Sequence, residues 1–130
     1  MVKIIADTTC GLPRTLLSQL DIPLLPQIVI FGDESYRDDT EIDSKTFLAK
    51  LRASSVLPKT AAPPPALYNP IFSKLRETGD SALVITPSAE VSGTSRSAIT
   101  AAKDYPDVDI RVLDSRTVAS GLGQLILRAW

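Results

Sequence analysis

The feature that most constrains this chain is the alternation of short, β-branched apolar runs with segments whose apolar residues recur at helical spacing. Residues 2–6 form a compact apolar run, and the turn-prone Asp7, Thr8 and Thr9 follow it, which predicts a buried strand ending in a loop. Leu12, Leu16, Leu17 and Leu20 then share one helical face, with Pro13 early, where a helix tolerates it. Further on, Leu67, Tyr68, Ile71, Phe72 and Leu75 mark an amphipathic helix over residues 66–78, closed by Gly79. A short apolar strand is predicted at 82–86, a helix rich in small residues at 93–103, and another strand at 108–113. A last helix lies within 117–130, regular once past Gly121 and Gly123. Strands separated by helices imply a layered α/β fold with a largely parallel sheet.

The middle of the chain breaks this rhythm. Pro23 and Pro26 confine the next strand to residues 27–31, because a central ladder rejects proline. Gly32-Asp33 predicts a hairpin. Asp43 or Ser44 then caps a helix with Phe47, Leu48 and Leu51 on one face. Residues 54–65 show no periodicity and contain Pro58, Pro63, Pro64 and Pro65, so a stiff loop is expected there. Phe47, Tyr68 and Phe72 are assigned to the core.

Composition narrows the chemistry. The 130 residues, 44% apolar and 22% charged, are enough for one domain with a buried core. Fourteen basic and 15 acidic residues leave a net charge of −1, which argues against a nucleic-acid surface. The chain has no histidine, so it can assemble neither a Ser-His-Asp nor a Cys-His nucleophile, nor an imidazole metal site. Cys10 is the single cysteine, so no internal disulfide can form. It reads as a small loop residue without a base to activate it. No stretch approaches the roughly 18 apolar residues of a membrane span, and residues 2–6 are too short for a signal peptide. A cytoplasmic protein with no membrane span is the expectation.

Ligands of open α/β sheets bind outside the carboxyl ends of the strands. Three hydroxyl-rich loops fall there, at residues 7–11, 87–94 and 114–117. Ser92-Gly93-Thr94 in the second is the most suggestive. Gly93 allows close backbone approach, and the helix that begins there offers free N–H groups and a positive dipole end, suited to a carboxylate or phosphate oxygen. Taken alone, however, a serine before a helix reads first as a cap. Thr60, held in the proline-stiffened segment, is the second candidate. Asp7 and Asp114 read as caps of the loops that follow them.

The order of these segments carries a resemblance. The text Asp7-Thr8-Thr9-Cys10-Gly11-Leu12-Pro13 is followed by Leu25-Pro26 and by Phe31-Gly32-Asp33-Glu34-Ser35-Tyr36-Arg37-Asp38. Then come Phe47-Leu48-Ala49-Lys50-Leu51, Leu57-Pro58-Lys59-Thr60, Val91-Ser92-Gly93-Thr94 and Val112-Leu113-Asp114-Ser115, the last running on to Gly121 and Gly123. Together they resemble the DegV family over essentially the whole chain. The resemblance implies a three-layer α/β/α sandwich that serves as the amino-terminal domain of a longer, two-domain protein. The chain ends inside a helical pattern without a stop signal, so truncation is expected, with a carboxyl-terminal lipid-enclosing domain absent.

The resemblance also implies a function. A long-chain fatty acid would be carried, its carboxylate held by Thr60 and Ser92 with the Gly93 backbone nearby. It would be presented to a separate fatty acid kinase catalytic subunit that forms the acyl-phosphate. The chain itself would be a carrier without catalysis, cofactor or metal. Ala61-Ala62-Pro63 stands where the family carries Ser-Gln-Pro, and Pro87-Ser88 where it carries Ser-Ser, which reduces the polar groups near the head-group site. The alternative is a small phosphate-binding or phosphoryl-transfer domain using the same helix terminus.

Overall fold

The computed structural model describes all 130 residues, and its centre is a parallel sheet of four strands. These are β1 (Val2–Asp7), β2 (Leu24–Leu25), β6 (Ser81–Thr86) and β7 (Ile110–Asp114), in the order β2-β1-β6-β7. Both faces of the sheet are covered, which is why β1 and β6 read as continuous apolar runs instead of alternating with polar residues. Ile5, Ala82 and Val84 point to one face. There they meet Tyr68, Phe72 and Leu75, together with Ala98 and Ala101. Those residues belong to a 3₁₀ turn (Pro65–Tyr68), to α3 (Asn69–Thr78) and to α4 (Thr94–Ala102). Ile4, Ala6 and Ile85 point to the other face, where they meet Leu17 of α1 (Arg14–Gln19) and Leu122 and Ile126 of α5 (Ala119–Ala129). This is the three-layer α/β/α sandwich.

Besides β2, which pairs with β1 at Leu24 and Leu25 between the two prolines where no strand was expected, three elements differ from the sequence expectation. The helix predicted over 66–78 is a 3₁₀ turn followed by α3, with Pro70 in the first turn of the α-helix, where its missing N–H leaves no bond unmade. The last helix does not wait for its glycines. α5 starts at Ala119, and Gly121 and Gly123 lie inside it. Gly123 is there for contact: a Cβ would come within 2.6 Å of the Cys10 carbonyl oxygen and 3.0 Å of Leu12 Cγ. The helix can settle onto the 3₁₀ turn at Thr8–Cys10 only without a side chain at that point.

The third difference is the larger one. Lys59–Ala61, inside the expected loop, forms β5 and pairs antiparallel with β3 (Ile28–Phe31), setting Thr60 opposite Val29. A three-residue strand is too short to show periodicity, and Pro63, Pro64 and Pro65 all lie beyond it. β3 also pairs with β4 (Glu34–Arg37) through the predicted hairpin at Gly32-Asp33, giving a small antiparallel sheet ordered β4-β3-β5. α2 (Ser44–Ala53), capped by Asp43, whose carboxylate accepts from Thr46 N at 2.7 Å, lies against this sheet. None of its residues is buried, so Phe47 is not a core residue. It is half-buried, edge-on to Phe31 at 5.6 Å between ring centroids. Tyr68 and Phe72 are core, as predicted, with their ring centroids 5.5 Å apart.

Candidate functional site

β6 ends at Thr86, and the chain then makes a compact turn over residues 87–93 before entering α4. Val91 N and Ser92 N both donate to the Ser88 carbonyl, at 3.1 and 3.0 Å. The neighbouring β7–α5 loop braces this turn. Asp114 Oδ1 accepts from Ala89 N at 3.1 Å and from Arg116 N at 3.0 Å, so Asp114 orders loops, as its sequence position implied. An open cleft of about 850 Å³ lies between these two loops, lined by residues 88–91 on one side and by Asp114 and residues 116–118 on the other. Neither Ser92, Gly93 nor Thr60 lines it.

Gly93 is the N-cap residue of α4, with no side chain to cap. Ser92, one residue earlier, takes that part: its Oγ accepts from Thr94 N at 3.2 Å. The capping reading of Ser92 is therefore borne out. One lone pair serves the helix, while the hydroxyl proton and the second lone pair remain for other partners. Thr60 lies in β5, two residues before Ala62, whose Cβ lies 3.5 Å from a Cβ built on Gly93, so β5 leads to the corner formed by Ser92 and Gly93. Thr60 and Gly93 are exposed and Ser92 is half-buried, so the corner opens outward.

Under the corner lies a polar cluster that was not assigned from the sequence. Asp7, at the carboxyl end of β1, is 1% exposed. Its Oδ1 accepts from Thr9 N at 3.1 Å and from Thr9 Oγ1 at 2.5 Å, which is the capping role predicted for it. Its Oδ2 accepts from Gln27 Nε2 at 2.7 Å and meets Thr94 Oγ1 at 3.3 Å. Gln27 Nε2 also donates to Thr94 Oγ1 at 3.1 Å, and Thr94 Oγ1 lies 2.9 Å from Ser92 Oγ. Burial pushes the Asp7 carboxyl above its ordinary value, against the hydrogen bonds from Thr9, Gln27 and Thr94, which pull it down. Burial likewise raises the Cys10 thiol, which keeps it protonated and inert. The available signals were a lone glutamine between Pro26 and an apolar strand, and a threonine one step past the glycine. Neither points inward until the two strands and α4 converge.

No lysine or arginine is bonded to this cluster, and Asp7 takes part in no ion pair. The groups assigned to the corner are neutral donors, a serine hydroxyl, a threonine hydroxyl and the amide of a helix start. No group of three or more His, Cys, Asp or Glu side chains is placed to hold a metal ion, and no helix is long and apolar enough to cross a membrane.

Known proteins share this architecture. The profile of the DegV family, described as uncharacterised proteins, matches residues 1–130. The chain belongs to the DegV family. A DegV domain-containing protein of Clostridium perfringens is 36% identical over 128 residues, covering 98% of this chain and 46% of that relative. A fatty-acid-binding DegV-family protein from Thermus thermophilus superposes with a TM-score of 0.87 at 30% identity, over 98% of this chain and 45% of its own. A stearic-acid-binding protein from Eubacterium ventriosum gives 0.89 at 30% identity, over 99% of this chain and 46% of its own. This DegV chain thus spans about half the length of the relatives it matches.

Proposed function

We propose that this chain binds a long-chain fatty acid, with the carboxylate held at the corner of Thr60, Ser92 and the Gly93 backbone. The reading is supported by the approach of Ala62, two residues past Thr60, to Gly93 at the start of α4, beside the Ser92 hydroxyl. Neutral donors suit a monoanion such as a carboxylate, whereas a phosphate dianion is matched better by arginine or lysine. That weighs against the phosphate-binding alternative. The relatives from Thermus and Eubacterium are fatty-acid-binding proteins of the same fold, which supports the choice of ligand.

In this reading the chain is a carrier without catalysis of its own. The family resemblance extends the proposal to presentation of the carboxyl group to a fatty acid kinase catalytic subunit. Residues 1–130 are the head-group domain, and a second domain encloses the acyl tail. Each buried methylene contributes about 0.8 kcal/mol, so a chain lacking most of the tail-enclosing wall retains little lipid. Mass spectrometry of an organic extract tests this. A longer form carrying the second domain should co-purify with fatty acid and lose it on Ser92→Ala with Thr60→Ala, while residues 1–130 alone carry little. A longer form that arrives empty, or loaded with a polar metabolite, overturns the proposal.

A further inference from the structure

The protons available in the buried cluster are too few to leave Ser92 free to donate outward at all times. Thr94 Oγ1 has three polar neighbours, Gln27 Nε2 at 3.1 Å, Asp7 Oδ2 at 3.3 Å and Ser92 Oγ at 2.9 Å, and one proton to give. Gln27 Nε2 supplies one N–H to Asp7 and the other to Thr94. The Thr94 proton must therefore go to Asp7 or to Ser92. If it goes to Asp7, the Ser92 proton fills the contact with Thr94, and Ser92 shows the solvent only a lone pair. If it goes to Ser92, that oxygen already accepts from Thr94 N and now accepts twice, so its own proton points outward.

A negative Asp7 favours the first arrangement, and a carboxylate resting on Ser92 requires the second. We infer that Asp7 is a positioning residue which, through Thr94, sets the direction of the Ser92 hydroxyl, so that a ligand carboxylate and the charge on Asp7 compete for the same two protons. The inference rests on the carboxylate reading of the corner. Binding at Ser92 draws the Thr94 proton away from Asp7, which makes Asp7 take up a proton from solvent more readily. By reciprocity, a protonated Asp7 donates to Thr94, Thr94 to Ser92 and Ser92 to the ligand. Carboxylate affinity then falls as pH rises through the Asp7 titration. A long-chain alcohol escapes the competition, because its own O–H can donate to the Ser92 lone pair.

The groups around Asp7 leave it as the charge that matters. Tyr68, whose hydroxyl donates to the Thr94 carbonyl at 3.4 Å, and Cys10 are both pushed up by burial and stay neutral. Asp38 is also raised by burial, but it binds Gln27 N and Thr8 Oγ1 and does not touch Thr94. Thr9 and Gln27 are uncharged, and no basic side chain bonds to Asp7.

The Asp7 side-chain ¹³C resonance, titrated in the longer form carrying the second domain, without ligand, with saturating octanoate and with saturating 1-octanol, tests the coupling. Octanoate should raise the Asp7 midpoint by about one pH unit, a tenfold coupling of the usual allosteric size, while octanol leaves it in place. Thr94→Val should abolish the rise and Thr94→Ser should keep it. A rise that survives Thr94→Val is through-space repulsion and overturns the relay. Octanoate that shifts the Ser92 and Gly93 amide signals without moving Asp7 also overturns the relay, but leaves the carboxylate site standing. Octanoate that shifts neither amide overturns the site and the relay together. Should Thr94→Val fail to fold, Thr94→Ala takes its place as the variant that removes the relay hydroxyl, and equal wild-type shifts with the two ligands refute the inference.

Discussion

Only β3 of the small antiparallel sheet is as apolar as the inner strands of the parallel sheet, and the two sheets are held in different ways. The parallel sheet is packed on both faces, by α3 and α4 on one side and by α1 and α5 on the other, and its central residues Ile5, Val84 and Ile85 are fully enclosed. The antiparallel sheet has only α2 beside it, and α2 buries no residue. It is joined to the body through polar groups. Gln27 N donates to Thr8 Oγ1 and to Asp38 Oδ1, Thr8 Oγ1 donates to Asp38 Oδ2 at 2.7 Å, and Arg14 reaches the Asp38 carbonyl at 2.9 Å. The candidate corner lies across this joint, with Ser92 and Gly93 on the packed body and Thr60 on the outlying sheet.

The contrast is broken most directly in the core. Phe72→Ala, at a fully buried ring, should lower unfolding stability by about 3–5 kcal/mol in urea melts, whereas half-buried Phe47→Ala should fall well short of that. Comparable losses at both positions would mean that the small sheet is as firmly packed as the body. Gly123→Ala drives a methyl into the Cys10 carbonyl, and overpacking of this kind costs about 1–3 kcal/mol, readable as a fall in thermal midpoint. Gln27→Leu removes two buried hydrogen bonds and leaves Asp7 and Thr94 short of a donor, a loss of about 1–3 kcal/mol. Hydrogen exchange should then quicken in β3 and β5 before β1 and β6, and uniform quickening would show that the joint does not separate the two parts.

Asp7 supplies a pH test of the same boundary. Its folded carboxyl is raised above the ordinary 3.8, so between that value and the folded one the native chain holds more protons than the unfolded chain. Stability from this group is therefore present at low pH and is lost as pH rises through the interval, with a slope of at most about 1.4 kcal/mol per pH unit. Urea unfolding of wild type and Asp7→Asn across acidic pH isolates the effect as the part of their difference that changes with pH. Wild type should lose stability relative to the variant as Asp7 ionises. A wild type that gains on the variant with rising pH would show that hydrogen bonds, not burial, dominate the group. The smallest effect is expected at Leu57→Ser. Leu57 is 81% exposed beside β5, and its replacement should change stability by no more than about 0.5 kcal/mol.

Legibility followed the same division. The main strands and helices of the body were visible in sequence, because a strand buried on both faces is a continuous apolar run and a helix covering it shows a stripe. Helix boundaries were less clear: α5 begins before its two glycines, and at Gly123 close packing on Cys10 requires a glycine despite its low helix propensity. The small sheet was half legible. The hairpin at Gly32-Asp33 carries its own turn signal, but β5 has only three residues and becomes a strand because β3 offers a free edge. At the corner, the ordered motifs singled out Thr60, Ser92 and Gly93.

By itself, then, the sequence determined the α/β layering, the family, the absence of histidine chemistry and the hydroxyls at the strand ends. These are local or periodic properties, written in neighbouring residues. Only the tertiary structure decided that Asp7, Gln27 and Thr94, separated by as many as 87 positions, share a single buried hydrogen-bond cluster beneath Ser92. Such a cluster leaves no periodic trace, because each member obeys the rules of its own segment. The need of a buried carboxylate for donors becomes a constraint only once three segments meet around it.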